Sequence, residues 1–379
     1  MDCVDNYNVE SDLTMLKKLT IIIPTFNRDY LERCLYYVSQ FPFGAIIVAD
    51  SSFDEKKNQN RKIINKLIST TSSNILYLQY PPETEEYGGD IYRKWADAVF
   101  HVETEYCQIC TDKEFPIPIT QCKCLKFLEA NIEYGVADGI HFNIESGKEE
   151  GVYSLRTIPT AAIYESDGWM RFVHMCQNPG CTLLGLHRTS LQKNVYSKLT
   201  HYNIDDIRFG EIYLELQDVI LGKCMTFEDS VMTYRDTLQS GQNSGYARKT
   251  DSSTIRYPQI WKYPSEEYVI KYARFKNGLK ESILEVSPDC KDIMEMDSLL
   301  TNFIEKRFGK PRLIQKISVF TDLYYKLSLP RWVRDMIQNI FLKDRCGISY
   351  ISTIIPNENL DYKRICQIIS DYQKKNTRL

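Results

Sequence analysis

The sequence has no long apolar run and no strong excess of charge of either sign. Lys and Arg number 47 against 50 Asp and Glu, so the formal net charge is −3. The chain therefore lacks the basic character that nucleic-acid binding requires, and we expect no nucleic-acid partner. Its most apolar stretches, 19–23 and 45–49, have only the length of a strand. A membrane-spanning helix needs about 20 apolar residues, so the sequence predicts no integral membrane protein.

The opening residues 1–14 are acidic and polar, without the basic and apolar segments of a secretory signal. We therefore expect a cytoplasmic protein. The 12 cysteines are scattered along the chain, which favours reduced, buried thiols over a disulfide framework. Cys107 and Cys110 fall in one predicted strand, where side chains three apart point to opposite faces, so we do not expect them to share a metal ion.

Apolar runs alternate with helical patterns through the first half of the chain. All-apolar strands separated by helices are typical of a parallel sheet that is covered on both faces. Strands are predicted at 19–23, 45–49, 75–80, 106–110 and 139–143. Pro24 is expected to end the first strand, and Asp29 with Glu32 is expected to form a capping box for a helix that ends near residue 40.

The length of 379 residues exceeds what a single hydrophobic core of about 250–300 residues usually holds. The spacing of apolar residues becomes helical at 211–221 and again in long stretches after Tyr263. We therefore predict an α/β domain over residues 15–250 and a mainly helical region over 251–379. The turn-rich segment 239–257 is the expected boundary.

Polar turns follow the predicted strands at 24–28, 50–52, 87–94 and 111–115. Ligands of open parallel sheets bind beyond the carboxyl ends of the strands, where the strand order reverses. In the last of these turns, Asp112 and Glu114 are separated by one residue, so both carboxylates can face a divalent cation that bridges diphosphate oxygens. The turns therefore indicate a site for a metal ion and a nucleoside diphosphate.

Three of these segments resemble family-2 glycosyltransferases of the GT-A fold. Residues 21–28 read Ile-Ile-Ile-Pro-Thr-Phe-Asn-Arg, like the opening signature of that family, and residues 48–52 read Val-Ala-Asp-Ser-Ser, like its second nucleotide-binding turn. Asp112-Lys113-Glu114 falls where the family has its DXD motif. The resemblance covers about residues 18–235 and is weakest beyond 150. It implies a nucleotide-diphospho-sugar transferase fold, a mostly parallel sheet flanked by helices.

The resemblance also implies a reaction: transfer of a sugar, with inversion, from a nucleotide-sugar donor to a hydroxyl of a glycan, a lipid-linked saccharide or a protein. It implies that Asp50 contacts the base or ribose and that Asp112 and Glu114 hold Mg²⁺ or Mn²⁺ on the diphosphate. The other residues expected at the nucleotide are Pro24, Thr25, Asn27, Arg28 and Ser51.

Lys113 departs from the family pattern, which has consecutive aspartates in this turn. Its ammonium can neutralise part of the diphosphate charge itself, so we include Lys113 among the candidate catalytic groups and leave the need for a metal open. Arg93 and Lys94, on the helix after the third strand, and Arg235, after a later apolar stretch, are further candidates for phosphate contact. Each can equally be an ordinary surface residue.

Residues 209–214 resemble the stretch that supplies the catalytic base of inverting family members. Glu211 is the candidate base and Asp206 the next, with Asp205 and Glu215 as competitors. A base here would take the proton of the acceptor hydroxyl. A plain charge near a helix start is the alternative reading of Glu211.

The segment 327–342 places apolar side chains on one helical stripe beside Arg331 and Arg334. This pattern suits a helix at the inner face of a membrane. It also suits a buried helix or a homodimer contact, and we favour these two over the membrane. Two other functions stay open. A nucleotidyltransferase would have a glycine-rich loop where 24–28 has none, and Lys113 favours an inactive binding module.

Overall fold

The computed structural model describes residues 13–86, 91–146, 153–158, 160–236, 266–290, 292–308 and 360–376. A 3₁₀ helix, Thr14–Lys18, precedes the first strand. The strands are β1 Leu19–Thr25, β2 Ala45–Asp50, β3 Ile75–Gln79, β4 Tyr106–Ile109, β5 Glu114–Pro116, β6 Tyr134–Ser146, β7 Tyr153–Ile158, β8 Leu186–Arg188 and β9 Lys223–Asp236. The α-helices are α1 Leu31–Val38, α2 Asp54–Thr70, α3 Glu83–Glu86, α4 Ile91–Phe100, α5 Pro118–Ala130, α6 Gly168–Gln177, α7 Thr189–His201, α8 Ile207–Leu221, α9 Glu266–Val286, α10 Met296–Phe308 and α11 Leu360–Asn376.

The strands of the described chain form one sheet in the order β3-β2-β1-β4-β8-β6-β9-β5, with β7 beside β6. Neighbours among β3, β2, β1 and β4 are parallel. The antiparallel strand β8 separates β4 from β6, which therefore runs in the direction of β4, and β9 is parallel to β6. The protein thus has the mostly parallel α/β sheet, flanked by helices, that the sequence predicted.

Helices cover both faces of this sheet. Side chains alternate between the faces along a strand, so Ile22 packs into one apolar cluster while Ile21 and Ile23 pack into the other. The first cluster includes residues of α4, α7 and α8, and the second includes residues of α1 and α5. The largely apolar character of β1 follows, because it is buried on both sides.

Two local predictions were wrong. β1 continues through Pro24 to Thr25, with Pro24 opposite Ala49 of β2. On the other side β4 has already ended at Ile109, so the missing N–H of Pro24 costs no ladder hydrogen bond there. The predicted capping box does not form, since α1 has Tyr30 at its N-cap without a side-chain cap, and Asp29 pairs with Lys56 instead.

The described helices after residue 265 pack onto the α/β sheet region. Phe275, Leu279 and Ile283 of α9 belong to the apolar cluster that contains Ile22, and Ile365 of α11 belongs to the opposite one. The predicted boundary 239–257 and the stripe 327–342 lie outside the described residues, so the two-part division stays a prediction. Among the helices described, none is both long and apolar enough to cross a membrane.

Candidate active site

The candidate site lies where the strand order reverses. In the sheet, β1 has β2 on one side and β4 on the other. The carboxyl ends of β1 and β4 therefore border a crevice. Thr25 ends β1 and donates its hydroxyl to Asp112 Oδ2 over 2.7 Å. Arg28 Nη1 lies 3.2 Å from the other oxygen of Asp112. Both oxygens of this fully buried carboxylate therefore accept hydrogen bonds, one from the last residue of β1 and one from the turn that follows.

The turns after β1 and β2 are joined by hydrogen bonds through Asn27. Its backbone N–H donates to Ser52 Oγ over 2.8 Å, and its side-chain oxygen accepts from the N–H of Phe53 over 2.9 Å. Asn27 has a φ of 48°, the left-handed conformation that asparagine tolerates better than most residues. The two turns thus present one continuous surface, with the rings of Phe26 and Phe53 6.0 Å apart.

Asp50 is fully buried, and its carboxylate holds the second turn together. One oxygen accepts from the N–H of Ser52 over 2.8 Å. The other accepts from Asn60 Nδ2 over 2.8 Å and from the Tyr77 hydroxyl over 2.6 Å. Burial, together with this hydrogen bond, raises the pKa of Tyr77. The sequence did not predict this internal role, and contact of Asp50 with base or ribose stays a prediction.

Lys94 and Arg93 are neighbours on α4, but their side chains have different surroundings. Lys94 is 2% exposed and its ammonium donates to Ser51 Oγ over 2.8 Å, with the carbonyl oxygen of Thr25 3.5 Å away. Lys94 therefore ties the ends of β1 and β2 together from inside. The exposed Arg93 donates to the side chain of Asn203, between α7 and α8. The structure thus gives these two candidates different surroundings, and a phosphate contact of either stays a prediction.

Glu114 begins β5 and lies opposite Arg235 of β9. One of its oxygens accepts from the N–H of Thr111 over 2.7 Å, and the other lies 3.5 Å from Arg235 Nε. Burial raises the pKa of Glu114, although Arg235 opposes the shift. Arg235 therefore lies beside the predicted turn, and its contact with a phosphate stays a prediction.

Lys113 lies between these two paired carboxylates. Its side chain is buried, with the ammonium 5.8 Å from the centre of the Tyr30 ring. Within the described chain, that ammonium has no hydrogen-bond or ion-pair partner. Burial, and next the charge of Arg28, lower the pKa of Lys113 to about 8. A partly desolvated cation thus stands at the crevice.

The residues at this turn do not fit a divalent metal ion. No group of three or more His, Cys, Asp or Glu side chains in the described parts of the chain is arranged to hold one. Both oxygens of Asp112 already accept protein hydrogen bonds, and a guanidinium lies beside each of Asp112 and Glu114. A divalent cation would be repelled by these guanidiniums. The expected Mg²⁺ or Mn²⁺ site therefore has no support in this geometry.

A buried ion pair beneath the turn was missed by the sequence analysis. Arg33 Nη2 lies 2.7 Å from Asp236 Oδ2, and both side chains are almost completely buried. Arg33 also stacks on the ring of Tyr30 at 4.3 Å. The backbone N–H of Asp236 donates to the carbonyl of Lys113 over 3.0 Å. The only sign of this ion pair in the sequence is the position of Arg33 beside Cys34, on the apolar side of a helix.

The candidate bases lie just before α8 and within it. Asp206 accepts from the N–H of Phe209 over 3.1 Å, as an N-cap residue does. Asp205 lies 3.6 Å from Lys271, and Glu215 is fully buried. Glu211 is half-buried in the first turns of this helix. Its neighbour Gly210 packs so tightly that a Cβ there would clash with the Tyr92 ring of α4, which fixes this end of α8 against the helix that carries Lys94.

The structure therefore defines an α/β protein with a polar crevice at the reversal of strand order. No protein-family model and no curated protein matches the sequence. The chain is structurally similar to S. aureus TarS 1-349 in complex with UDP, with a TM-score of 0.46, 14% identity, and coverage of 78% of this chain and 73% of that one. The same TarS fragment with UDP-GlcNAc gives a TM-score of 0.46, 15% identity, and coverage of 76% and 71%. Similarity of this degree does not carry an activity from one protein to the other.

Proposed function

We propose that the protein is a glycosyltransferase that moves a sugar from a nucleotide-activated donor to an acceptor hydroxyl. The observation that carries the proposal is the contact between Thr25 and Asp112 at the reversal of strand order. Parallel α/β sheets bind nucleotides at this position. The turns that meet there are those whose residues resemble the donor-binding segments of family-2 glycosyltransferases.

In the proposed reaction the acceptor oxygen attacks the anomeric carbon of the donor. The bond from that carbon to the diphosphate oxygen breaks, and the nucleoside diphosphate leaves with the electron pair. Lys113 and Arg235 would stabilise the charge that develops on the leaving group. Glu211 would take the proton of the acceptor hydroxyl, and Asp206, held as a helix cap, is the weaker candidate. Attack from the side opposite the diphosphate inverts the anomeric centre.

The acceptor is a hydroxyl of a glycan, a lipid-linked saccharide or a protein. An inactive nucleotide-binding module is the second candidate function. Lys113 within the turn favours it, and the pairing of Asp112 with Arg28 places a second cation at a carboxylate that was expected to hold a metal ion. Hydrolysis of a donor sugar by the purified protein would argue against the inactive module.

A thermal-shift screen tests the proposed function. We expect a nucleoside diphosphate to raise the melting temperature, because a ligand that binds only the folded state stabilises it by about 2.7 kcal/mol at 100 times its Kd. The nucleotides to compare are UDP, GDP, CDP, dTDP and CMP, each with and without Mn²⁺. UDP-GlcNAc, named with a TarS structure, is a convenient donor for the hydrolysis assay. If none of the nucleotides shifts the melt, the proposed function is wrong.

A further inference from the structure

We propose that three cations of this chain, Arg28, Lys113 and Arg235, bind the donor diphosphate directly, without a divalent metal ion. The inference rests on the proposed function and adds how the phosphates are held. In it, Asp112 and Glu114 are positioning residues for the two guanidiniums rather than metal ligands.

The two carboxylates each orient one arginine at the crevice. Asp112 is held by the Thr25 hydroxyl at 2.7 Å and faces Arg28 at 3.2 Å. Glu114 is held by the N–H of Thr111 at 2.7 Å, with Arg235 3.5 Å away. Both acids are fully buried, whereas the arginine side chains are 32% and 36% exposed. Each acid therefore anchors a guanidinium that remains partly accessible to solvent.

Lys113 supplies the third cation from between these pairs. Both arginines lie close enough to lower its pKa by their charge. Lys113 is 7% exposed as a whole residue, and its ammonium has no ion-pair or hydrogen-bond partner within the described chain. Burial therefore makes its charge costly for the folded state. A bound anion would supply the missing partner, which a purely structural lysine would already have.

The charges at the turn do not balance. Arg28, Lys113 and Arg235 carry three positive charges against the two negative charges of Asp112 and Glu114, which leaves one in excess. The neighbouring pair of Arg33 and Asp236 is neutral and adds nothing. Guanidinium groups match phosphate oxygens in a fork of two hydrogen bonds, and an ammonium adds a point charge. Arg28, Lys113 and Arg235 together therefore suit the two adjoining phosphates of a nucleoside diphosphate.

Isothermal titration calorimetry of the full chain with UDP and with inorganic pyrophosphate tests the inference. In EDTA we expect both to bind, and the Kd for UDP to lie within about threefold of its value in Mn²⁺. The variants Arg28→Gln, Lys113→Gln and Arg235→Gln should each weaken binding of both ligands about 10- to 100-fold, the loss expected for a charge-assisted hydrogen bond.

Asp112→Asn separates the two mechanisms most directly. If Asp112 is a metal ligand, Asp112→Asn should abolish the part of the UDP affinity that depends on Mn²⁺. If it positions Arg28, Asp112→Asn should change the Kd for UDP by the same factor in EDTA and in Mn²⁺. Glu114→Gln provides the same comparison if Asp112→Asn does not fold. Lys123→Gln is the matched control, because this lysine pairs with the exposed Asp229 at 2.8 Å and should leave both affinities unchanged.

Four outcomes would decide against the inference or the proposed function. UDP binding that requires Mn²⁺ would overturn the inference and leave the proposed function standing. UDP binding in EDTA that survives all three glutamine variants would also overturn it. Pyrophosphate binding with no response to any nucleotide would refute the proposed function while the anion site stands, and no binding of either ligand would refute both.

Discussion

The buried pair of Arg33 and Asp236 allows a sharp prediction of stability. Removing one partner of a buried ion pair leaves an uncompensated charge and costs about 3–5 kcal/mol. The two side chains are 3% and 2% exposed and 2.7 Å apart, so Asp236→Ala should reach this range. In a domain of this size about 1 kcal/mol corresponds to about 2–4 °C in melting temperature. We therefore expect Asp236→Ala to melt about 10 °C lower.

Circular dichroism of the thermal transition provides the assay, and the chain supplies a matched control. Asp229 lies on the same strand, but its pair with Lys123 is exposed, with the aspartate side chain 77% accessible. Exposed ion pairs contribute at most about 1 kcal/mol, so Asp229→Ala should shift the melt by only a few degrees. Replacing both buried partners, as Arg33→Met with Asp236→Leu, should restore most of the stability that either single change removes. Equal shifts for Asp236→Ala and Asp229→Ala would refute this account of the buried pair.

Three further changes test individual site residues. Lys113→Met should stabilise the unliganded protein at pH 7, because burial lowers the pKa of Lys113 to about 8 from 10.5. Between about pH 8 and pH 10.5 Lys113 is deprotonated in the folded state but still protonated in the unfolded state, so the free energy of unfolding of the wild type should rise with pH. Urea unfolding at several pH values should show this rise for the wild type and not for Lys113→Met. Asp50→Ala should lower the free energy of unfolding by about 2–5 kcal/mol, because Asn60 and Tyr77 lose a buried acceptor. Unchanged UDP affinity in the milder Asp50→Asn would remove Asp50 from the nucleotide site. Glu211→Gln should reduce turnover at least about 100-fold while leaving the Kd for UDP unchanged, and full turnover in that variant would transfer the base role to another residue.

The position of the candidate site could be predicted from the sequence because it depends on local order along the chain. Apolar strands alternate with helices, so the polar turns that follow them must gather at one edge of the sheet. Thr25 and Asp112 therefore meet, although 87 positions separate them.

The partners of these residues could not be predicted in the same way. Asp50 looks like a ligand contact in sequence, but Asn60 and Tyr77 bury its carboxylate. The pairing of Asp112 with Arg28 and of Glu114 with Arg235 depends on how the turns fold and on the register of β5 with β9. No spacing rule specifies that register, so from the sequence both carboxylates were expected to hold a metal ion.

The packing of α9 and α11 has a consequence for how the chain can be divided. α9 covers the face of the sheet to which Ile22 belongs, and α11 covers the opposite face. A fragment that stops at residue 250 would uncover apolar surface on both sides of the sheet at once. Fragments made for crystallisation or for binding assays should therefore retain both helices, since loss of either would expose an apolar surface and favour aggregation.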